Sequence, residues 1–367
     1  MNFNFSARKK SQGIALVIVM VTVFVLTAIV AAFALSMKVE MKLARNATSE
    51  SEMEWLGRSG VDLAKYVLAL QMNSAQEQYD SLNQTWAGGP GSELSSNSPI
   101  SGIVLKDHEF KLGSGTFRIA ITDMERKFNI NTVANSPDIL GQAFVMMGVD
   151  AGEYPQIVAA IQDWIDTDDD EHISGAESDF YQTLTPPYLA KNGAVDDITE
   201  LLLIKGVTPA MFWGSGSTNV PPVETPLNPF DRSAIITNQV GLVDLFTPVS
   251  SGYLNLNTVS AETLQLFPGF DATMADMIIQ LRAGPDGVDG TEDDTPFGGT
   301  GGSVQNALAQ ATGSQTGAQR LGNFFRPRSV VFEVEVTATI GGYSKIYTAL
   351  VARNSAQDVQ TLTFREK

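Results

Sequence analysis

Hydrophobic positions follow three different rhythms along this chain. From Ile14 to Met37 every residue is uncharged and most are apolar, an unbroken run long enough to cross about 30 Å of hydrocarbon. Beyond it, Met53, Leu56, Gly60, Leu63, Val67 and Leu70 recur at spacings of three and four, with Glu52, Glu54, Arg58, Asp62 and Lys65 between them and no proline to interrupt. That is an amphipathic helical period. The spacing predicts one continuous helix from Ile14 to Met72, about 88 Å long, greasy all round in its first half and laid across a sheet in its second. A coiled-coil stalk is the weaker alternative, because no sustained charge pairing flanks the stripe. The third rhythm has period two. Phe117, Ile119 and Ile121 alternate with Arg118, Ala120 and Thr122, and Phe332, Val334, Val336, Ala338 and Ile340 alternate with Glu333, Glu335, Thr337 and Thr339. Gly341-Gly342 predicts a hairpin, Ile346 to Ala352 its returning strand and Val359 to Phe364 one strand more. Gly88 to Gly102 reads as a loop, and the middle of the chain reads mostly helical.

The predicted fold class is therefore α+β: a long N-terminal helix packed on a small antiparallel sheet, with a large, mostly helical domain inserted between strands. The boundaries fall at 1–13 for a basic leader, 14–37 for the transmembrane half of the helix, 38–125 for its amphipathic half and the first strands, 126–325 for the inserted domain and 326–367 for the closing strands. Inside the insertion, FNINTV at Phe128 to Val133 and LNLNTV at Leu254 to Val259 each precede a helical pattern, as if one short unit is used twice. The second continues as a helix-hairpin-helix, with Ser260 as N-cap, Glu262 in the first turn and Pro268-Gly269 at the bend.

Charge orients the chain and narrows its partners. Arg8, Lys9 and Lys10 precede the apolar run, which places the amino terminus in the cytoplasm and the body across the membrane. A secretory signal peptide is the alternative, with Ala32-Phe33-Ala34 as its cleavage site, but such peptides have an apolar core of only about 7–15 residues. The net charge of −17 argues against nucleic acid and anionic lipid, whose phosphates need Lys and Arg. Asp271 in the hairpin worsens the electrostatics of a DNA phosphate site. With no cysteines, disulfides and thiolate metal sites are excluded. His108 and His172 are the only histidines, so zinc-type catalysis has little to work with. No Ser/His or Cys/His set is visible, and Asp163, beside Trp164, reads as a surface or capping acid. An enzyme is not expected.

Two acidic stretches are candidate cation sites. DTDDDEHISGAE, from Asp166 to Glu177, can be placed on the EF-hand frame, with Asp166, Asp168 and Asp170 as the first three ligands, the His172 carbonyl next, then Ser174 and Glu177. A hard cation takes six to eight oxygens, and carboxylates two residues apart converge only if the loop curls round an ion. The sharp-turn glycine of that frame is Glu171 here, which argues against an EF-hand proper and leaves a calcium loop of similar ligand order. The alternative is a solvated acidic loop capping the helix before it. GPDGVDGTEDDTPF supplies a second, weaker cluster, Asp286, Asp289, Glu292, Asp293 and Asp294, in which glycines would let the loop wrap a cation.

Gly13, preceded by basic residues and followed at once by the apolar run, resembles the recognition site of the type IV prepilin family. Together with FNIN, AIQDWIDTDDDEHISGAESDFY, PPYLAKNG, VDDITELLLIKGVTPAMF and LNLNTVSAETLQLFPGF, it makes the chain resemble the type II secretion system minor pseudopilin K, or general secretion pathway protein K, family along nearly its whole length. The resemblance implies cleavage after Gly13 by a prepilin peptidase, N-methylation of Ile14, a pilin-like helix and sheet, and calcium in the inserted body. It implies a single-pass protein of the inner membrane with a periplasmic body, assembled on the inner-membrane secretion platform. There it would sit at the tip of the pseudopilus beside the minor pseudopilins I and J and the other pseudopilins, initiating or capping assembly for export of folded proteins across the outer membrane. Ile18 departs from the glutamate that most such subunits carry. In related filaments that glutamate is thought to neutralise the amino terminus of the adjoining subunit. An unpaired ammonium in lipid costs several kcal/mol, so a subunit with nothing above it is the one that can lack the partner. The glycine-rich stretch 298–322 matches the family less well. Two readings from other classes stay open: a type IV pilus or competence minor pilin whose hairpin contacts DNA, and a membrane-anchored hydrolase using an acidic metal loop.

Overall fold

The computed structural model describes residues 12–73, 77–90, 103–214 and 240–367. Arg8, Lys9, Lys10 and most of the leader lie outside these residues, as does most of the loop at 88–102. The first element, α1 (Gln12–Met72), is one helix of 61 residues. From Ile14 to Ala44 its side chains are exposed on every face. From Met53 onward one side is buried, through Met53, Leu56, Val61, Ala64, Val67 and Leu68. Leu63 and Leu70, which the sequence stripe includes, are only partly buried at its flank, because Val61, Ala64 and Leu68 share the contact.

That face lies on a five-stranded antiparallel sheet of β1 (Phe110–Leu112), β2 (Gly115–Asp123), β7 (Val331–Ile340), β8 (Tyr343–Ser355) and β9 (Asp358–Glu366), in the order β1-β2-β7-β8-β9. The pilin-like arrangement that the sequence predicts is the one observed. Phe117, Ile119, Phe332, Val334, Val336 and Ala338 are the buried members of the alternating patterns. Gly341 and Gly342 have φ of 57° and 87° and join paired Ile340 and Tyr343, the double positive-φ geometry of a two-residue hairpin. Gly57 and Gly60 let the helix press close to the sheet. A Cβ on Gly60 would sit 2.5 Å from Val336 Cγ1, and one on Gly57 2.6 Å from Tyr347 Cδ2. Within this sheet, the three-residue β1 is the strand that the sequence pattern does not predict.

The insertion leaves β2 at Asp123 and re-enters at β7, where Asp123 pairs with Phe332. This end of the sheet lies beside Leu68 and Met72 of α1, through Arg353 and Arg328. The opposite end, with Ser114 and Lys345, lies beside Glu52 and Glu50. The inserted domain is thus carried at the end of the body farthest from the apolar run. Its elements are β3 (Phe128–Asn129), α2 (Ile130–Val133), α3 (Pro137–Met146), α4 (Tyr154–Ile165), α5 (Ser178–Tyr181), α6 (Pro209–Trp213), α7 (Leu242–Leu245), β4 (Phe246–Thr247), β5 (Leu254–Asn255), α8 (Ala261–Leu264), α9 (Ala272–Arg282), α10 (Val304–Thr312), α11 (Gln315–Leu321) and β6 (Phe325–Arg326).

The sequence echo corresponds to a structural one. Phe128-Asn129 pairs in parallel with Phe246-Thr247, and Leu254-Asn255 pairs in parallel with Phe325-Arg326. In each copy the first asparagine, Asn129 or Asn255, accepts the backbone N–H of the second, both at 3.0 Å. The second asparagine then clamps a distant backbone group at both ends: Asn131 accepts from Val195 N at 2.7 Å and donates to Val195 O at 3.0 Å, and Asn257 does the same to Phe297 at 2.8 and 3.0 Å. Both also donate to the proline after the return strand, Pro248 at 3.2 Å and Pro327 at 3.5 Å.

A buried polar junction joins the insertion to the sheet. Asp123 Oδ2 accepts from Thr258 Oγ1 at 2.5 Å, Ser329 Oγ at 2.6 Å and Asn255 Nδ2 at 3.1 Å. Arg353, 1% exposed, pairs with Asp80, whose carboxylate also accepts Ser329 N at 2.9 Å. Glu125 accepts the backbone N–H groups of Ser251, Val330 and Val331 at 3.1, 2.8 and 3.1 Å. Burial, with a smaller contribution from the Asp123 charge, pushes the Glu125 carboxyl up to about 8, against the pull of those donors.

Two outcomes are expected from this packing. Gly60→Val should cost ~1–3 kcal/mol through overpacking, read as a lower urea midpoint of the full chain in detergent, while the exposed Asp62→Ala stays within ~0.5 kcal/mol. The Glu125 contribution to stability should be fully present below its unfolded value near 4.5 and lost as pH rises through about 8, since the folded state binds the extra proton across that window. The urea midpoint should therefore fall more steeply between pH 5 and 8 in the wild-type chain than in Glu125→Gln, and parallel slopes would contradict it.

Candidate metal centre

The helix α4 delivers an acid into the interior just before its chain turns out into the acidic loop. Asp163 is completely buried, correcting its reading as a surface or capping acid. Its Oδ1 accepts His172 N at 3.0 Å and lies 2.5 Å from His172 Nδ1, and its Oδ2 accepts Ala176 N at 2.6 Å. One carboxylate thereby folds 172–176 back against the helix. Gly175 sits so close to Asp163 Oδ2 that a Cβ there has no room. The positive φ of the loop falls at Ser174, at 66°, and not at Glu171, so the turn differs from the EF-hand frame.

Asp163, Asp166 and His172 each bring a ligand atom within 4.8 Å of the others. Glu177 is 6% exposed and neither of its carboxylate oxygens has a hydrogen-bond partner; Asp166 Oδ1 and Asn192 Oδ1 are likewise buried without one. Burial, then the charges of Asp163, Asp166 and Asp169, push the Glu177 carboxyl up to about 7. Burial, then Asp168 and Asp163, also raises Asp166. Buried oxygens without donors are costly, and carboxylate and side-chain amide oxygens are the donor types that a hard cation such as calcium takes.

Of the residues that the sequence nominates, the structure draws in Asp166 and Glu177. Asp168, Asp170 and Ser174 remain exposed, with Asp168 Oδ1 taken by Asp170 N at 3.0 Å. The His172 carbonyl accepts Gly175 N at 2.8 Å. Asn192 is the residue that the sequence reading missed. It comes from a segment after α5 and donates to Asp168 O and Asp169 Oδ1, both at 2.8 Å, so no local spacing marks it.

The second acidic cluster is organised differently. Asp286, Glu292 and Asp293 are exposed, and Asp289 is bound by Arg282. Asp294 Oδ2 accepts Gly290 N at 2.8 Å. Pro268 and Gly269 link α8 to α9, and Gly269 has φ 81°. Asp271 caps α9 by accepting Met274 N at 2.9 Å, which occupies the helix terminus that a phosphate would use.

Known proteins resemble this arrangement in sequence and in shape. Residues 126–213 match the family model described as type II secretion system (T2SS), protein K. The type II secretion system protein K of Aeromonas hydrophila is 24% identical over 56% of this chain and 61% of its own length. That of Klebsiella pneumoniae is 30% identical over 28% of this chain and 35% of its own. The chain thus spans about a third to three fifths of the length of these curated relatives. A chain in the crystal structure of the GspK-GspI-GspJ complex from the enterotoxigenic Escherichia coli type 2 secretion system superposes with a TM-score of 0.62 at 19% identity, covering 88% of this chain and 99% of that one. With the family match inside the inserted domain and the same fold around it, this chain is similar to type II secretion system protein K in sequence over residues 126–213 and in fold over most of its length.

Proposed function

We propose that the protein is a minor pseudopilin of the type II secretion system, anchored by α1 in the inner membrane with a cytoplasmic amino terminus and a periplasmic body. It is a structural subunit and not an enzyme. The observation that carries the reading is the placement of the family-matched domain on the end of a pilin-like body farthest from an apolar helix segment exposed on all faces. Such a surface calls for lipid or for other helices. The complex in which the similar solved chain was crystallised supports minor pseudopilins I and J as partners. Cleavage after Gly13 by the prepilin peptidase would leave Ile14 as the methylated first residue, within the helix. Ile18 in place of a glutamate supports a position at the tip of the pseudopilus, where the subunit initiates or caps assembly on the secretion platform for export of folded proteins.

Calcium fits the first acidic loop. Asp166, Glu177 and Asn192 would hold it through oxygens that lack protein donors, and Asp163 would position the loop from behind. When bound, the ion supplies the positive charge that this group of carboxylates lacks. The long-range hydrogen bonds of Asn192 and of Lys205 Nζ, which donates to Gly175 O at 2.7 Å, then brace the loop from outside.

Intact mass and amino-terminal sequencing of the protein from membranes holding its own prepilin peptidase should show a methylated Ile14 start. A chain starting at Met1, or cut after Ala34, would remove the filament reading. Co-purification from those membranes should recover subunits I and J, and Ile18→Glu should weaken the tip position; unchanged assembly would make the missing glutamate incidental. In calorimetry on the full chain, Asp163→Ala should weaken calcium binding by about 10–100-fold as the loss of a positioning group, with Glu177→Gln weakening it further. Wild-type affinity in Glu177→Gln would sink the site.

A further inference from the structure

The two acidic loops occupy corresponding places in the repeated unit. Each leaves the longest helix of its copy, α4 or α9, and precedes the residue clamped by the second asparagine: the second loop runs directly to Phe297, whereas α5 lies between the first loop and Val195. What faces the acids differs. In the first copy, oxygens of Asp166, Glu177 and Asn192 have no donor. In the second, α9 ends in Arg282, whose side chain is 5% exposed. Its Nε and Nη2 donate to the two oxygens of Asp289 at 2.9 and 2.7 Å, and its Nη1 donates to Leu256 O and Val259 O at 2.9 and 2.8 Å.

Of the remaining acids of that loop, Glu292 is exposed and the other three accept from the loop's own chain. Asp293 accepts Asp286 N at 3.0 Å and Thr291 Oγ1 at 2.7 Å, and Asp286 accepts Val288 N at 2.8 Å. Asp294 accepts Gly290 N and, at 3.3 Å, Thr291 N. Among the described residues, no carboxylate oxygen of this loop is buried without a partner. A guanidinium is a permanent cation whose planar donors match a carboxylate at two points. It also ties the loop to the backbone of the LNLNTV signature, a contact that a metal ion bound by the loop alone would not make.

We propose that Arg282 takes, in the second copy, the place that a divalent cation takes in the first, so that the second acidic loop binds no ion. The calcium dependence of the inserted domain is then confined to the loop of the first copy. The contrast rests on the calcium reading of Asp166 and Glu177, whereas the assignment of the second loop stands on the Arg282 contacts. The copy that is independent of calcium is the one that carries Asn255 and Thr258 into the buried junction, so attachment of the domain to the sheet is insulated from changes in ion concentration.

Hydrogen exchange by mass spectrometry on the full chain in detergent, with calcium and after EGTA, tests this. EGTA should raise exchange several-fold in 163–177 and leave 284–297 unchanged, while Arg282→Gln should raise exchange in 284–297 with or without calcium. Should Arg282→Gln fail to fold, Arg282→Lys, which keeps the charge but loses the two-point contact, is read the same way. Deprotection of 284–297 by EGTA, wild-type exchange there in the Arg282 variant, or an Asp293→Asn chain that binds one calcium fewer would overturn the proposal. A first loop indifferent to EGTA would instead overturn the calcium reading on which the contrast rests.

Discussion

A carboxylate with no access to water holds this protein's two parts in register. Asp123 ends β2, and its donors come from the insertion, through Thr258 and Asn255, and from the segment entering β7, through Ser329. Arg353 and Asp80 extend the same network to β8 and to the chain after α1. Removing one partner from such a set strands another buried charge, at a cost of about 3–5 kcal/mol. The orientation of the inserted domain is therefore specified by hydrogen-bond geometry, which tolerates little rotation, and not only by apolar contact, which tolerates more. In a chain with no cysteine, this network does the joining that a covalent bridge does in many exported proteins.

The parts of the fold legible in the sequence are those with long periods. The helix, the alternating β2 and β7 and the Gly341-Gly342 hairpin each repeat one spacing often enough for burial to dominate every other preference. The short parts carry no such signal. β3 to β6 have two residues each and exist because asparagine side chains clamp backbone across 40 and 64 residues. The FNINTV and LNLNTV strings announced the repeat without announcing that use. The patterning at the two ends of the chain placed the helix and the sheet and left the middle as an inserted helical domain, and the family resemblance implied the same pilin-like helix and sheet.

The candidate site was legible in composition and illegible in geometry. Acidic spacing pointed to the loop in which Asp166 and Glu177 carry buried oxygens without donors, but also nominated Asp168 and Asp170, which face solvent. Asp163 was misread because an acid near a helix end is usually exposed. Here the loop folds back over it, a long-range event that helix periodicity does not encode. Asn192 arrives from another segment altogether. In both cases the missing information was which backbone groups would need an acceptor once buried.

The entry and exit of the insertion carry a consequence for the order of folding. Asp123 and Phe332 are direct neighbours across β2 and β7, yet the whole inserted domain separates them along the chain. Zipping those strands first would mean closing a very long floppy ring, an entropic toll that only later contacts refund. If the domain condenses first, its two ends emerge side by side and the ring is already closed. The sheet is then completed late, by the strands that follow the insertion, β7 to β9, and until then α1 keeps one apolar face uncovered.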